Sequence, residues 1–249
     1  MTKYLVLFFF LLQFHLIGQT IITDRPDQTE SSSTIEKGSL QIESGILLGF
    51  TEDDITSYRQ LLAPTTLFRY GITDGIELRV LNQFESVKNQ TKDQKIDGIS
   101  DIEIGTKVQL FKKENVNTEI AFLSHLILPT GSEFLSNDKF GTINKLSISH
   151  SINDNIGLGY NVGYNYFGTG NGDLTYSIAM GIGITEKVAI YIEPYGDLVE
   201  FKDHEANFDA GVTYLLQDNF QLDFSFGTGI NHPMNYISFG FSWQLMKKK

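Results

Sequence analysis

The chain has 249 residues and a formal charge of -11, with 41% hydrophobic residues, 23 glycines, five prolines and no cysteine. The missing cysteines exclude a disulfide framework or a thiolate metal site. The acidic balance argues against a nucleic-acid partner, which would call for a basic surface. The length suits one large β domain or two small ones.

Residues 1–18 read as a secretory signal peptide. Lys3 supplies the positive end, Tyr4 to Ile17 form an apolar run broken only by Gln13 and His15, and Gly18-Gln19 offers a cleavage point. A retained membrane helix is the alternative, but the run is short of the roughly 20 residues a span needs. Residues 19–38 come next, a polar stretch with Pro26 and Ser31-Ser32-Ser33 and no alternation. They read as a periplasmic arm or plug ahead of the first strand.

From residue 39 onward the pattern has period two. Ile156, Leu158, Tyr160, Val162, Tyr164 and Tyr166 alternate with Gly157, Gly159, Asn161, Gly163 and Asn165, and 174–184 repeats the design. Strands are predicted near 39–50, 57–70, 76–86, 99–111, 118–129, 142–152, 156–166, 174–184, 188–198, 206–216, 220–230 and 236–245. That gives an all-β domain over 39–246: a transmembrane antiparallel β-barrel of about twelve strands in an up-and-down meander. The connections at 71–75, 113–117, 153–155, 185–187 and 217–219 carry the Asn, Asp and Gly of tight hairpins. Those between them are expected to be mostly longer and charged, as at 87–98 and 130–141, which is how outer-membrane barrels sort their loops. On the apolar face, Phe50, Phe84, Tyr164, Tyr166, Tyr176 and Phe208 fall near the long-loop end. Tyr70, Tyr214, Phe220 and Trp243 fall near the short-turn end, as two aromatic girdles at the headgroups would. The outward Phe239, Phe241 and Trp243 of the last strand suit recognition by barrel-assembly machinery.

Several segments resemble one outer-membrane family. They are Thr23-Asp24-Arg25-Pro26-Asp27-Gln28-Thr29-Glu30-Ser31, then 37–45, then Arg69-Tyr70-Gly71-Ile72-Thr73-Asp74-Gly75, then Leu128-Pro129-Thr130-Gly131, then 211–216 with 219–223. Together, in order, they are similar to the transporters named for the meta-pathway of phenol degradation. The resemblance implies an outer-membrane barrel with a transport role. One departure is Ser32, where many relatives carry proline.

With the apolar face toward lipid, the opposite face lines the lumen. It places Glu43, Arg69, Glu77, Arg79, Glu103, Lys107, His125, Lys145, Glu193, Asp209 and Asp223 inside, with Glu85, Asp101, Glu119 and Asp197. Buried charges call for water or partners. Arg69, Glu77 and Arg79 flank one short turn and are expected to cluster. The N-terminal motif offers them Asp24, Arg25, Asp27 and Glu30 for charge-assisted pairing, with Pro26 shaping the segment. Acids outnumber bases, so an open lumen is expected to prefer cations mildly. Twelve strands lie between filled eight-stranded barrels and porins of 16 or more, and both an open pore and a closed lumen stay in view.

Other chemistry is sparse. A barrel phospholipase needs a serine and histidine in reach of each other, and the predicted register keeps outward Ser124 and His150 about four residues apart. Gly168 to Gly172 joins two strands and is a loop, not a phosphate cradle. His204 and His232, with Glu52, Asp53 and Asp54, read as solvated loop side chains. No cofactor or metal is expected. The reading is a passive transporter or channel for small solutes, hydrophobic or aromatic ones included, in bacterial outer-membrane lipid with a periplasmic N-terminus. The alternatives are a closed barrel with a structural or interaction role, a lipid-modifying enzyme, and a soluble lipocalin-like binder.

Overall fold

The computed structural model describes residues 21–52 and 55–245. The predicted signal peptide lies outside the described residues, as do Asp53 and Asp54.

Thirteen strands form one antiparallel sheet: β1 (Leu40–Glu52), β2 (Ser57–Thr73), β3 (Ile76–Asn89), β4 (Gln94–Ile99), β5 (Ile102–Phe111), β6 (Thr118–Leu128), β7 (Gly141–Asn153), β8 (Ile156–Tyr166), β9 (Asp173–Gly183), β10 (Val188–Val199), β11 (Asp203–Gln217), β12 (Phe220–Gly229) and β13 (Met234–Leu245). Apart from β4 and β5, consecutive strands pair with each other, and β1 closes the ring against β13 from Leu40↔Leu245 to Thr51↔Met234. Both β4 and β5 pair with β3, at Phe84↔Ile99 and at Leu81↔Glu103 respectively, so they are two halves of one stave. The barrel therefore has twelve staves in an up-and-down meander. Among the described residues every stave is paired on both sides, as a sheet in hydrocarbon requires, and only the β4 segment pairs on one side alone, with β3.

The stave splits at Ser100-Asp101 for a local reason. The Asp101 carboxylate turns to accept the Thr130 and Gly131 backbone N–H groups at 3.0 and 2.8 Å, while Ser132 N–H donates to Ile99 O at 2.8 Å. The β6–β7 loop thus docks into the break. A Cβ on Gly131 would lie 2.9 Å from Asp101 Oδ1 and 3.1 Å from Ile99 O, so this close approach needs glycine.

One expectation about loops is corrected. Residues 87–98 are not a long loop: Val87↔Ile96, Lys88↔Lys95 and Asn89↔Gln94 continue the ladder to a tip at 90–93. The connections at 200–202 and 230–233 are short too, and only 129–140 runs long. Charge along these stretches marks strands that continue beyond the apolar band, because ladder hydrogen bonds satisfy their backbones as well as water would.

The two faces separate by chemistry. Phe239, Val162, Ile178, Ile237, Ile46 and Phe226 are exposed outward, whereas Gln41, Glu43, Arg69, Glu77, Ser147 and Ser242 are fully buried. An apolar exterior this large suits lipid rather than water. The ten predicted girdle aromatics all lie on this outer face.

Candidate functional site

Residues 21–36 fold into the lumen as a loop inserted from the short-turn end. Ile21 N–H donates to Asp218 O in the β11–β12 turn at 3.2 Å, and on the return Gly38 N–H donates to Gly71 O at 2.7 Å. Between them, the tip climbs to the middle of the barrel. Gln28 N–H donates to Glu193 Oε2 at 2.7 Å, and Thr29 Oγ1 donates to Glu193 Oε1 at 2.5 Å. Asn161 makes a two-way clamp on Glu30, accepting its N–H at 2.7 Å and donating to its carbonyl at 3.1 Å. Lower down, Ser32 bonds Ser149, Ser33 donates to Glu119 at 2.7 Å, and Ile35 N–H donates to Glu77 at 2.9 Å. A segment without period two or helical period has no ladder to join. Its backbone groups are satisfied instead by the polar inner face.

A charge network holds the two limbs. Arg69 lies 2.9 Å from both Glu43 and Glu77 and 3.1 Å from Asp24. Arg79 reaches Asp24 at 2.6 Å, Glu77 at 2.9 Å and Glu30 at 2.9 Å, and Lys107 reaches Asp24 at 2.8 Å and Glu30 at 3.4 Å. Arg69, Arg79 and Lys107 are all buried. Among the described residues the barrel supplies only Glu43 and Glu77 as ion-pair partners for these three cations, so Asp24 and Glu30 from the arm complete the compensation that burial requires. Burial opposes ionisation of Asp24, yet Arg69, Lys107 and Arg79 outweigh it and hold its carboxyl well below the usual carboxylate range. Arg79 Nε also donates to His125 Nε2 at 2.9 Å. His125 therefore carries its proton on Nδ1 and donates it to Glu103 at 2.7 Å.

Arg25 and Asp27 go elsewhere than that cluster. Arg25 pairs with Asp223 at 2.9 Å and donates to Ser238 at 3.1 Å. Its guanidinium lies over Gly45 and Gly240, cross-strand partners where any Cβ would collide with it. Asp27 sits on the opposite, acidic wall. There Glu193 and Asp209 are directly paired across β10 and β11, and Tyr236 donates to Asp209 at 2.5 Å. Burial, then Glu193, then Asp209 and Asp24, push the Asp27 carboxyl well above its ordinary range, against a weaker pull from its own backbone N–H.

The structure thus gathers Glu43, Arg69, Glu77, Arg79 and Lys107 with Asp24 and Glu30, joins Glu103 to His125, and sets Glu193 beside Asp209. Lys145 stands apart on β7, with no ion pair among the described residues. Pro26 lies between Arg25, which pairs with Asp223, and Asp27, which faces the acidic wall. Gln41, Asn161, Ser149 and Ser177 were not among the predicted site residues, yet all bond the arm or its carboxylate partners. Their signal was inner-face parity, shared with the predicted charges. Ser124 and His150 do not meet: Ser124 pairs in register with Asn144, and His150 with Thr118. Each bonds its own neighbour, Ser124 donating to Asn144 at 2.8 Å and His150 lying 2.8 Å from Thr118.

The lumen is not filled completely. A cavity of 370 Å³ flanks the arm between Thr29 and Ser149, one of 150 Å³ lies above its tip, and one of 590 Å³ opens among Glu52, Glu205 and His232 at the far mouth.

The model of a family described as "Putative MetA-pathway of phenol degradation" matches residues 23–245. Among solved structures, the COG4313 outer membrane channel from Pseudomonas putida F1 is similar at 11% identity and a TM-score of 0.71, covering 86% of this chain and 98% of that one. A KdgM porin in complex with disordered oligogalacturonate is similar at 11% identity and a TM-score of 0.56, covering 83% and 99%. The NanC porin follows at 11% identity and a TM-score of 0.51, covering 81% and 100%. At these identities the likeness is one of fold. No curated protein sequence matches the chain.

Proposed function

We propose, from the premise that the chain belongs to the phenol-degradation MetA-pathway family, that this outer-membrane barrel is a passive channel for small solutes and that residues 21–36 are its plug. The observation that carries the reading is the arm itself. Its Asp24 and Glu30 neutralise buried lumen cations, and its tip is clamped by Glu193 and Asn161, while cavities persist on either side. A polar, partly hydrated interior offers solutes a path that needs no energy source. The N-terminus and short turns are assigned to the periplasm, the signal peptide to residues 1–18, and the aromatic β13 to recognition by the assembly machinery.

Deleting residues 20–36 while keeping the export signal is expected to raise single-channel conductance in planar bilayers several-fold. Unchanged conductance would count against the plug. A lumen occupied by the clamped arm also suits a closed barrel with a structural role. Liposome swelling with a panel of small solutes, a phenol among them, separates the two, because a closed barrel admits none.

A further inference from the structure

The 150 Å³ cavity rests on the arm tip in the half of the lumen nearer the long loop. Its floor is Gln28, and its walls come from β7, β8, β9 and β10. Asn161 and Ser177 at the edge of this cavity are spent on the arm, whereas Ser147, Asn207, Ser225 and Ser242 elsewhere on the inner face each leave a buried oxygen without a hydrogen-bond partner among the described residues. Five lining side chains are not spent. Gln28, Lys145, Asn165, Thr175 and Asp197 have no side-chain hydrogen bond or ion pair among the described residues, and Asn165 Oδ1 is shielded from solvent without a partner. Thr175 is buried, Lys145, Asn165 and Asp197 are half-buried and Gln28 is exposed. A shielded atom such as Asn165 Oδ1 is ordinarily satisfied, so the convergence of free donors and acceptors around it marks a place prepared for a hydrogen-bonding guest.

The chemistry of the five narrows the guest. Lys145 is a donor of three hydrogens, Asp197 an acceptor, and the two amides and Thr175 each do both. One cation and one anion leave the wall without net charge, so a charged solute gains nothing that a neutral one lacks. A phenol ring would cover these groups and leave them unpaired, at a cost in affinity; hydroxyls would satisfy them. The volume lies between the roughly 10–15 Å³ of a single water site and the roughly 300 Å³ where drug-sized pockets begin. We infer that this cavity is a binding subsite for a small, neutral, polyhydroxylated solute of monosaccharide size, held by Gln28, Lys145, Asn165, Thr175 and Asp197. The inference deepens the channel reading and rests on it.

The test is saturation-transfer NMR on the full-length protein in nanodiscs, with D-glucose as the probe, phenol as competitor and empty nanodiscs as the control for partitioning. Saturable glucose binding is expected. Lys145→Met and Asn165→Leu should each weaken it by about tenfold, as loss of a charge-assisted or buried hydrogen bond does. Thermal melting of both variants checks that the barrel is intact. Binding that does not saturate, variants that bind like the parent, or phenol displacing glucose at equal concentration would overturn the subsite. Proteoliposome swelling run in parallel keeps the two readings apart. Binding without permeation defeats the channel and spares the subsite, and permeation without binding does the reverse.

Discussion

Asp24 and Asp27 are three positions apart and meet opposite fields. Asp24 faces Arg69, Arg79 and Lys107, which keep it ionised despite burial. Asp24→Asn would leave three buried cations against one carboxylate fewer. Removing one partner of a buried ion pair costs on the order of 3–5 kcal/mol, so the arm should become far more accessible to protease, with a lowered melting temperature if arm and barrel unfold together. Asp27 instead lies against Glu193 and Asp209. Its docked pKa is raised above the value of about 3.9 in the free arm. Its contribution to docking is therefore complete at pH below that free value and is lost as pH rises through the raised one. The Asp24 contribution has the reverse sign: its docked pKa is lowered, so it is present above the free value and lost only in strong acid. Conductance is accordingly expected to rise as pH is taken from mildly acidic to alkaline, and Asp27→Asn should flatten that rise. An unchanged profile in the variant would remove Asp27 from the explanation.

At the scale of elements, the β4–β5 break is where a loop and a stave depend on each other. Asp101→Ala removes the acceptor for Thr130 and Gly131 and leaves those N–H groups to water or to nothing, a loss of about 1–3 kcal/mol where they stay shielded. Gly131→Val adds a collision with Asp101 and Ile99 O. Hydrogen exchange at residues 129–132 should quicken in both variants while β8 to β12 keep their protection; uniform quickening would mean that the loop is not an independent unit. Staves were legible in the sequence because period two survives wherever one face meets lipid and the other the lumen. Outer loops were not. Hydrophobic alternation fades above the membrane while backbone pairing continues, so Lys88 and Lys95 read as loop residues though they are register partners. The inner charges were legible by parity, and their gathering around Arg69 and Arg79 followed from one short turn. Which arm residue meets which charge was not legible, since a segment without periodicity carries no register; hence Arg25 was expected at a cluster that it bypasses for Asp223.

For the whole molecule, charge is divided by side of the lumen. On the β1–β5 side, Arg69, Arg79 and Lys107 are matched by Glu43, Glu77, Asp24 and Glu30. On the β10–β11 side, Glu193 and Asp209 face Asp27, with Asp197 nearer the mouth and Lys145 the nearby base. A solute passing between them lies within about one Debye length of both walls at physiological salt, and the acids dominate. Reversal potentials across a potassium chloride gradient should therefore show a mild cation preference in the intact protein; anion selectivity would refute it. The plug makes this prediction sharper. Deleting residues 20–36 removes the acids Asp24, Asp27, Glu30 and Glu36 against Arg25 alone, and it bares Arg69, Arg79 and Lys107 with Glu43 and Glu77 beside them. Higher conductance should thus arrive together with a shift of the reversal potential toward anions. A truncated channel that conducts more but keeps the parent's selectivity would mean that ions pass by a route that avoids the Arg69–Arg79 network.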